Sequence, residues 1–276
     1  MKILILVLIL SVTFFGCQSN PESAFPYADP LRWQLVWEDR FEGKGIPDPA
    51  KWTYAVGGHG WGNKEKQFYT QARPENASQR DGKLHVTARK ESWEGNDFTS
   101  ARIISRGLGD FKYGRFEIRA KVPAARGTWA AIWMMPSNWQ FSDGGWPDIG
   151  EIDIMEHVGH DPGVIHASAH SRDYQWQKGT QKTGTIEIPT ATSEFHTYTL
   201  EWSKERLAAY VDDELYFEYL NEGLGEGKWP YNKPFYLILN VAVGGEWGSV
   251  EGIDTEAFPQ TMEVEYVRVY RAAKDS

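Results

Sequence analysis

The chain is poor in cysteine and in positive charge, and each shortage excludes a class of protein. Cys17 is the only cysteine among 276 residues, so no intrachain disulfide can form. Lys and Arg number 29 against 38 Asp and Glu, a formal net charge of −9. This balance argues against a nucleic acid or an anionic membrane surface as the main partner, because both require a positive field. From Trp33 onward, internal repeats, long linkers and a sustained helical period are also missing.

Aromatic residues, in contrast, are abundant, with 13 each of Trp, Tyr and Phe. A hydrophobic core of this size cannot easily accommodate so many tryptophan side chains, so we expect some of the rings to line a surface groove. Strand signals dominate, and they lie at residues 83–89, 115–122, 207–219 (a hairpin turning at Asp212-Asp213), 235–243 and 262–270. The pattern predicts an all-β fold, a sandwich of two antiparallel sheets.

The N-terminal segment has the features of an export signal. Lys2 precedes an apolar run over residues 3–15 that is too short for a comfortable membrane span. It ends at Phe14-Phe15-Gly16-Cys17, which resembles a bacterial lipobox. We therefore predict a signal peptide at 1–16, lipidation at Cys17, a tether at 17–30 and a sandwich domain at 31–273. The alternative is an ordinary secretory signal in which Cys17 is incidental.

The most informative segment is a run of carboxylates in a predicted strand, Gly150-Glu151-Ile152-Asp153-Ile154-Met155-Glu156. Alternation places Glu151 and Asp153 on one face, but it would turn Glu156 toward the core, where a charge is costly. One extra residue near Ile154-Met155 would send Met155 inward and return Glu156 to the first face. The spacing therefore predicts a β-bulge at this point.

Three carboxylates on one strand face repel each other, and this crowding has a chemical use. A shared proton raises the pKa of one carboxyl, so that a neutral acid and an ionised base coexist. Retaining glycosidases need such a pair about 5–5.5 Å apart, one group attacking the anomeric carbon and the other protonating the leaving oxygen. A plain acidic strand or a calcium site is the alternative interpretation of the same residues.

The segment Glu-Ile-Asp-Ile-Met-Glu resembles the signature of family 16 glycoside hydrolases, in the form found in laminarinase-type endo-β-1,3-glucanases. The resemblance runs from about residue 37 to 270 and includes the segments at 60–63, 67–70, 99–103, 127–133, 146–147 and 239–245. It implies a concanavalin A-like β-jelly roll and catalysis without a cofactor. It also implies that Glu151 is the nucleophile, Glu156 the acid/base and Asp153 a helper that orients Glu151.

The same resemblance implies a sugar-binding groove. Aromatic rings suit it because the C–H face of a pyranose packs on them. Trp133 and Trp146 match positions beside the cleavage point, and Trp129 is a groove or a core residue. The polar candidates are Asn76 and Arg102 on the non-reducing side and His170 near the acid/base, while Asn240 and Trp247 lie in or beside a Gly-rich segment predicted to border the groove.

Relatives of this kind often carry a structural calcium away from the catalytic groups. The matching positions are the backbone around Arg40 and Gly82 and the side chain of Glu265. The family usually has Asp at the last position and Asp-Glu-Phe where this chain has Asp39-Arg40-Phe41. The sequence therefore leaves a structural calcium open.

Taken together, the sequence predicts an exported, monomeric enzyme that cleaves β-1,3-glucan with retention. The membrane contact would be a lipid anchor on the periplasmic or outer face of the bacterial outer membrane. Hydrolysis of mixed-linkage β-glucan or of a marine galactan stays open as an alternative on the same fold. So does a non-catalytic glycan-binding protein, although such a protein would be expected to have lost one of the three carboxylates.

Overall fold

The computed structural model describes residues 33–138 and 145–273, so the predicted signal peptide at 1–16 and the whole predicted tether at 17–30, with Cys17, lie outside the described residues. The described chain is built almost entirely from strands. In chain order they are β1 (Trp33–Asp39), β2 (Thr53–Tyr54), β3 (Gln67–Tyr69), β4 (Ala77–Arg80), β5 (Lys83–Trp93), β6 (Asn96–Ser100), β7 (Arg102–Ile104), β8 (Asp110–Phe111), β9 (Gly114–Lys121), β10 (Thr128–Pro136), β11 (Glu151–Val158), β12 (Val164–His170), β13 (Lys182–Glu187), β14 (His196–Trp202), β15 (Arg206–Val211), β16 (Glu214–Leu220), β17 (Phe235–Val243) and β18 (Gln260–Ala272).

Helical structure in the described residues is confined to short turns, α1 (Gly245–Gly248) and two 3₁₀ turns at Trp176–Lys178 and Thr255–Ala257. No helix of residues 33–138 and 145–273 has the length and apolar character needed to cross a membrane. The all-β prediction is confirmed.

The strands form two sheets. The ten-stranded sheet has the order β16-β15-β14-β9-β18-β5-β6-β3, with β1 beside β18 and β4 beside β5. The eight-stranded sheet has the order β13-β12-β11-β10-β17-β7-β2, with β8 beside β17. Pairing is antiparallel except between β3 and β6. This is the predicted two-sheet jelly roll, and β11 lies near the middle of the eight-stranded sheet.

The core lies between the sheets and follows the alternation in the sequence. In β9, Phe116, Ile118 and Ala120 are fully buried, while the charged residues between them are partly exposed. β17 is buried along its whole length, because β10 and β7 pair with its two edges and both of its faces are covered. The hairpin of β15 and β16 turns at Asp212 and Asp213, whose φ angles of 46° and 71° are those of the two-residue turn that matches strand twist.

Candidate active site

The predicted bulge in β11 is confirmed. Asp153 pairs with Ser168 and Glu156 with His166, so Ile154 and Met155 together oppose only Ala167 on β12. On the other side, Met155 and Asp153 pair with the consecutive residues Ile132 and Trp133 of β10. Ile154 and Met155 are both fully buried in the core. Glu156 therefore stays on the outward face that carries Glu151 and Asp153, because the extra residue restores the alternation.

Each terminal carboxylate of this trio accepts a hydrogen bond from a tryptophan. The indole of Trp146 donates to Glu151 Oε2 over 3.1 Å, and the indole of Trp129 donates to Glu156 Oε1 over 3.0 Å. Trp129 thus faces outward with the carboxylates rather than into the core, which decides between its two sequence interpretations. The two indoles therefore fix the two outer glutamates of the trio, one indole to each glutamate.

His170 lies beside the other two carboxylates. Its Nε2 is 3.2 Å from Asp153 Oδ2 and 4.0 Å from Glu151 Oε1. Within residues 33–138 and 145–273, Asp153 Oδ2 has no hydrogen-bond partner, so the contact with His170 acts by charge and proximity rather than by an aligned hydrogen bond. Glu151, Asp153 and His170 are also close enough together to hold a metal ion. Two of these three groups, Glu151 and Asp153, are the nucleophile and the helper that the family resemblance implies.

Burial raises the pKa of Glu151, Asp153 and Glu156, each to about 8. The charge of Asp153 raises the pKa of both glutamates further, and that of His170 lowers it. Glu151 is also near enough to Arg102 for this cation to favour its ionised form. Three such close carboxyls cannot all be ionised near neutral pH. His170 and Arg102 both favour the ionised form of Glu151, which suits a nucleophile.

The raised pKa of Glu151 predicts a pH-dependent cost to stability. Between the unfolded pKa near 4.5 and the folded pKa of about 8, the three buried carboxyls together retain protons that the unfolded chain releases, so stability falls as pH rises through this window. Glu151→Gln removes that cost. We expect little change in Tm at pH 4 and an increase of about 2–5 °C at pH 8.5, measured by calorimetry.

The control for this experiment is Glu263→Gln on the ten-stranded sheet. Partial burial favours the neutral form of Glu263, but the ammonium of Lys121, 2.7 Å away, outweighs it and lowers the pKa. Its stabilising contribution is therefore present above the unfolded pKa and lost as pH falls. Glu263→Gln should lower Tm at pH 8.5 and have less effect at pH 4. A Tm shift of the same sign and size in both variants would contradict the interpretation of Glu151.

A second group of predicted residues lies on the neighbouring strands. The guanidinium of Arg102 lies between two rings, 4.6 Å from the centroid of Trp61 and 4.5 Å from that of Trp133. The indole of Trp133 donates to Asn240 Oδ1 over 2.7 Å. Arg102, Asn240 and Trp133 lie on the adjacent strands β7, β17 and β10, so they continue the outward face away from β11.

The remaining aromatic candidate, Trp247, lies on the other flank of Glu156. Its ring meets the ring of Trp129 edge-on, with centroids 5.4 Å apart. It also contacts His166, the residue opposite Glu156 on β12, at 4.8 Å. Trp247, which belongs to α1, therefore contacts Trp129, and Trp129 in turn bonds to Glu156.

Asn76 is the exception among the predicted sugar contacts. It is fully buried, and its amide donates to the Thr87 carbonyl and to the Thr99 hydroxyl. Its Oδ1 accepts from Thr70 and Arg73. With no exposed surface and every polar atom bonded, Asn76 cannot contact a sugar in this arrangement, so that prediction was wrong. The residue instead ties β4 and β5 to β6.

Sequence reasoning missed three residues of this face, Trp61, Glu65 and Tyr69. Trp61 covers one side of Arg102, and the hydroxyl of Tyr69 accepts from Asn240 Nδ2 over 3.1 Å. All three lie in or beside segments that carry the family resemblance. The family resemblance therefore pointed to these segments, but residue spacing alone cannot predict that a loop at 60–66 contacts a strand at 235–243.

The positions implied for calcium lie far from this face, on the outer side of the ten-stranded sheet. Arg40, Gly82 and Glu265 do line one cavity, of about 520 Å³. The cavity is also lined by Lys83, Arg119 and Arg268, and Glu265 already accepts from Arg119 Nε over 2.8 Å. Calcium needs six to eight oxygen ligands, so this arrangement of ion pairs does not fit the ion as it stands.

The model of the glycosyl hydrolases family 16 matches residues 64–268. A β-glucanase of Rhodothermus marinus is 52% identical over 244 residues, covering 87% of this chain and 85% of the relative. A glucan endo-1,3-β-glucosidase of Cryptopygus antarcticus is 38% identical over 252 residues, covering 86% and 91%. The X-ray structure of the laminarinase from Rhodothermus marinus superposes with a TM-score of 0.86 at 52% identity, covering 88% of this chain and 98% of that one. The bulged carboxylate strand, the two-sheet fold and these matches establish that the chain belongs to the glycosyl hydrolases of family 16.

Proposed function

We propose that the protein is an endo-acting glycoside hydrolase that cleaves β-1,3-glucan with retention of configuration. The observation that carries the proposal is the bulge in β11, which keeps Glu151, Asp153 and Glu156 on one outward face. The relatives from Rhodothermus marinus and Cryptopygus antarcticus, named for β-glucan and β-1,3-glucan hydrolysis, support the substrate class.

In the first step, ionised Glu151 attacks the anomeric carbon while neutral Glu156 protonates the leaving glycosidic oxygen. The glycosidic bond breaks, and an ester between Glu151 and the sugar forms. In the second step, Glu156 accepts a proton from water, which attacks the same carbon and releases Glu151. Trp146 steadies Glu151 through its hydrogen bond, and Asp153 with His170 sets the charge around it. The side chains supply both proton transfer and nucleophile, so catalysis needs no cofactor.

The test is a product profile on laminarin, lichenan, curdlan and agarose, followed by reducing ends and by NMR of the first product formed. The proposal expects internal cleavage of laminarin and a β-configured initial product. No release of reducing ends from any β-glucan would overturn it.

Mixed-linkage β-glucan is the second candidate, because one relative is named only as a β-glucanase. Stronger cleavage of lichenan than of laminarin would favour that candidate, and cleavage of agarose alone would favour a galactan hydrolase.

We further propose that the enzyme is exported and held by a lipid on Cys17, which the sequence Phe14-Phe15-Gly16-Cys17 supports. Replacing Cys17 with Ser should move the protein from the membrane to the soluble fraction of producing cells, and an unchanged distribution would contradict the anchor. A monomeric state is part of the same proposal, and light scattering tests it. The structural calcium that the resemblance implies does not fit the ion pairs at Glu265, so we expect EDTA treatment to leave Tm unchanged, and a fall in Tm would contradict this.

A further inference from the structure

Glu65 is a buried carboxylate outside the catalytic strand, with only 9% of its surface exposed. In the part of the chain that the structure describes, no Lys or Arg lies within ion-pair distance of it. Its oxygens accept hydrogen bonds from Asn63 over 3.3 Å, from Gln67 over 2.6 Å and from Tyr69 over 3.2 Å. Burying a carboxylate without an adjacent cation is costly, and burial raises the pKa of Glu65. The cost of burying this carboxylate suggests that its hydrogen bonds have a role beyond the local fold.

Hydrogen bonds lead from Glu65 to the outward face beside β11. The hydroxyl of Tyr69 donates to Glu65, and the same hydroxyl accepts from Asn240 Nδ2 over 3.1 Å. Asn240 Oδ1 then accepts from the indole of Trp133 over 2.7 Å. Because Tyr69 donates its proton to Glu65, its hydroxyl oxygen is able to accept from Asn240, and the indole of Trp133 can only donate. The amide of Asn240 is therefore held at both ends, with its nitrogen toward Tyr69 and its oxygen toward Trp133.

A second connection runs through Arg102. The cation lies between Trp61 and Trp133, and the ring of Trp61 in turn contacts the ring of Tyr69, with centroids 5.4 Å apart. The Nε of Arg102 has no hydrogen-bond partner among residues 33–138 and 145–273, although it is buried. The positive charge of Arg102 is close enough to Glu65 to favour the ionised carboxylate. Glu65 therefore interacts with Arg102 through charge, and no hydrogen bond joins the two side chains within residues 33–138 and 145–273.

We propose that Glu65 is a positioning residue that holds Trp133, Asn240 and Arg102 for sugar binding without contacting the substrate. The inference rests on the proposed function for the identity of the sugar. Glu65 acts through side chains on β7, β10 and β17, while the reacting carboxylates lie on β11. Its loss should therefore weaken substrate binding and leave the chemical step nearly intact.

The experiment compares Glu65→Ala and Glu65→Gln with Glu201→Gln. Glu201 matches Glu65 in burial, at 7% exposed, but it lies on the ten-stranded sheet and pairs with Arg115 and Arg206. Calorimetric titration with laminarihexaose is carried out in the Glu151→Gln background, which cannot turn the sugar over. Steady-state kinetics on laminarin are carried out with Glu151 intact, and Tm is recorded for every variant.

For Glu65→Ala we expect Kd and KM to rise about tenfold or more, with kcat within about threefold of the parent. Glu65→Gln keeps the volume but places an amide N–H₂ among donors, so we expect a smaller rise in the same direction. Glu201→Gln should change Tm without changing Kd or KM. If Glu65→Ala does not fold, the rise in Kd for Glu65→Gln and for Tyr69→Phe provides the same test.

A double-mutant cycle identifies the route. If Glu65 acts through Arg102, the combined Glu65→Ala and Arg102→Ala variant should bind less weakly than the product of the two single effects predicts. Unchanged Kd and KM in both Glu65 variants would overturn the proposal, and fully additive effects with Arg102→Ala would overturn the part of it that runs through Arg102. Failure of the parent to cleave any β-glucan would instead overturn the proposed function, so the two failures are distinguishable.

Discussion

Replacing Glu151 with alanine should lower kcat on laminarin on the order of 10⁴-fold or more, because the proposed mechanism forms its covalent intermediate on this carboxylate. Glu151 accepts a hydrogen bond from Trp146, and the nearby His170 and Arg102 favour its ionised form. Binding of laminarihexaose should persist, since the groove residues on β7, β10 and β17 are untouched. Initial rates and calorimetric titration measure the two effects separately.

Azide provides a sharper test of the role of Glu151. In the Glu151→Ala variant, azide can take the place of the lost carboxylate and attack an activated aryl laminarioside, giving a glycosyl azide of α configuration. Glu187→Ala is the control, because Glu187 ends β13 on the same sheet and takes no part in the trio. An active Glu151→Ala variant, or an azide product of β configuration, would contradict the assignment of Glu151 as nucleophile.

Replacing Glu156 with alanine should lower kcat on laminarin by about 10²- to 10⁴-fold, the usual contribution of a positioned acid and base. Because burial raises the pKa of Glu156 to about 8, the parent enzyme should lose activity as pH rises through that value and the acid becomes ionised. This alkaline limb should disappear in the variant. Rates on laminarin between pH 4 and 10 provide the measurement.

A substrate with a good leaving group separates Glu156 from Glu151. A dinitrophenyl laminarioside departs without protonation, so its first step should slow by less than about tenfold in Glu156→Ala. Azide should then trap the covalent intermediate and give a product of β configuration, opposite to that from Glu151→Ala. Equal losses on laminarin and on the aryl substrate, or persistence of the alkaline limb, would show that Glu156 is not the acid.

The bulge in β11 was predictable because the physics that demands it is local. Burying the charge of Glu156 costs more than disturbing one pair of ladder hydrogen bonds, so the extra Met155 had to turn inward. The same holds for the turn at Asp212 and Asp213 and for the wholly apolar β17, where alternation, or its absence, reports which faces are covered. These features depend on residues within one strand or hairpin.

Asn76 and Glu65 show where such reasoning ends. Asn76 was placed in the groove by its match to the family, yet its environment of Thr70, Thr87 and Thr99 uses every polar atom of the amide. No pattern in the sequence marks Glu65 as functional, although hydrogen bonds join it to Trp133 through Tyr69 and Asn240. Burial and hydrogen-bond partners decide both cases, and neither can be read from one segment alone.

The sequence by itself determined the all-β class, the carboxylate trio and the face on which the trio lies, because strand periodicity and the cost of buried charge act between near neighbours. Tertiary structure decided which distant side chains meet that face. Trp133 bonds to Asn240 across 107 residues, and Asn240 bonds to Tyr69 across 171. Such long-range contacts depend on the order of the strands within the sheet, and that order is determined by the packing of the entire core.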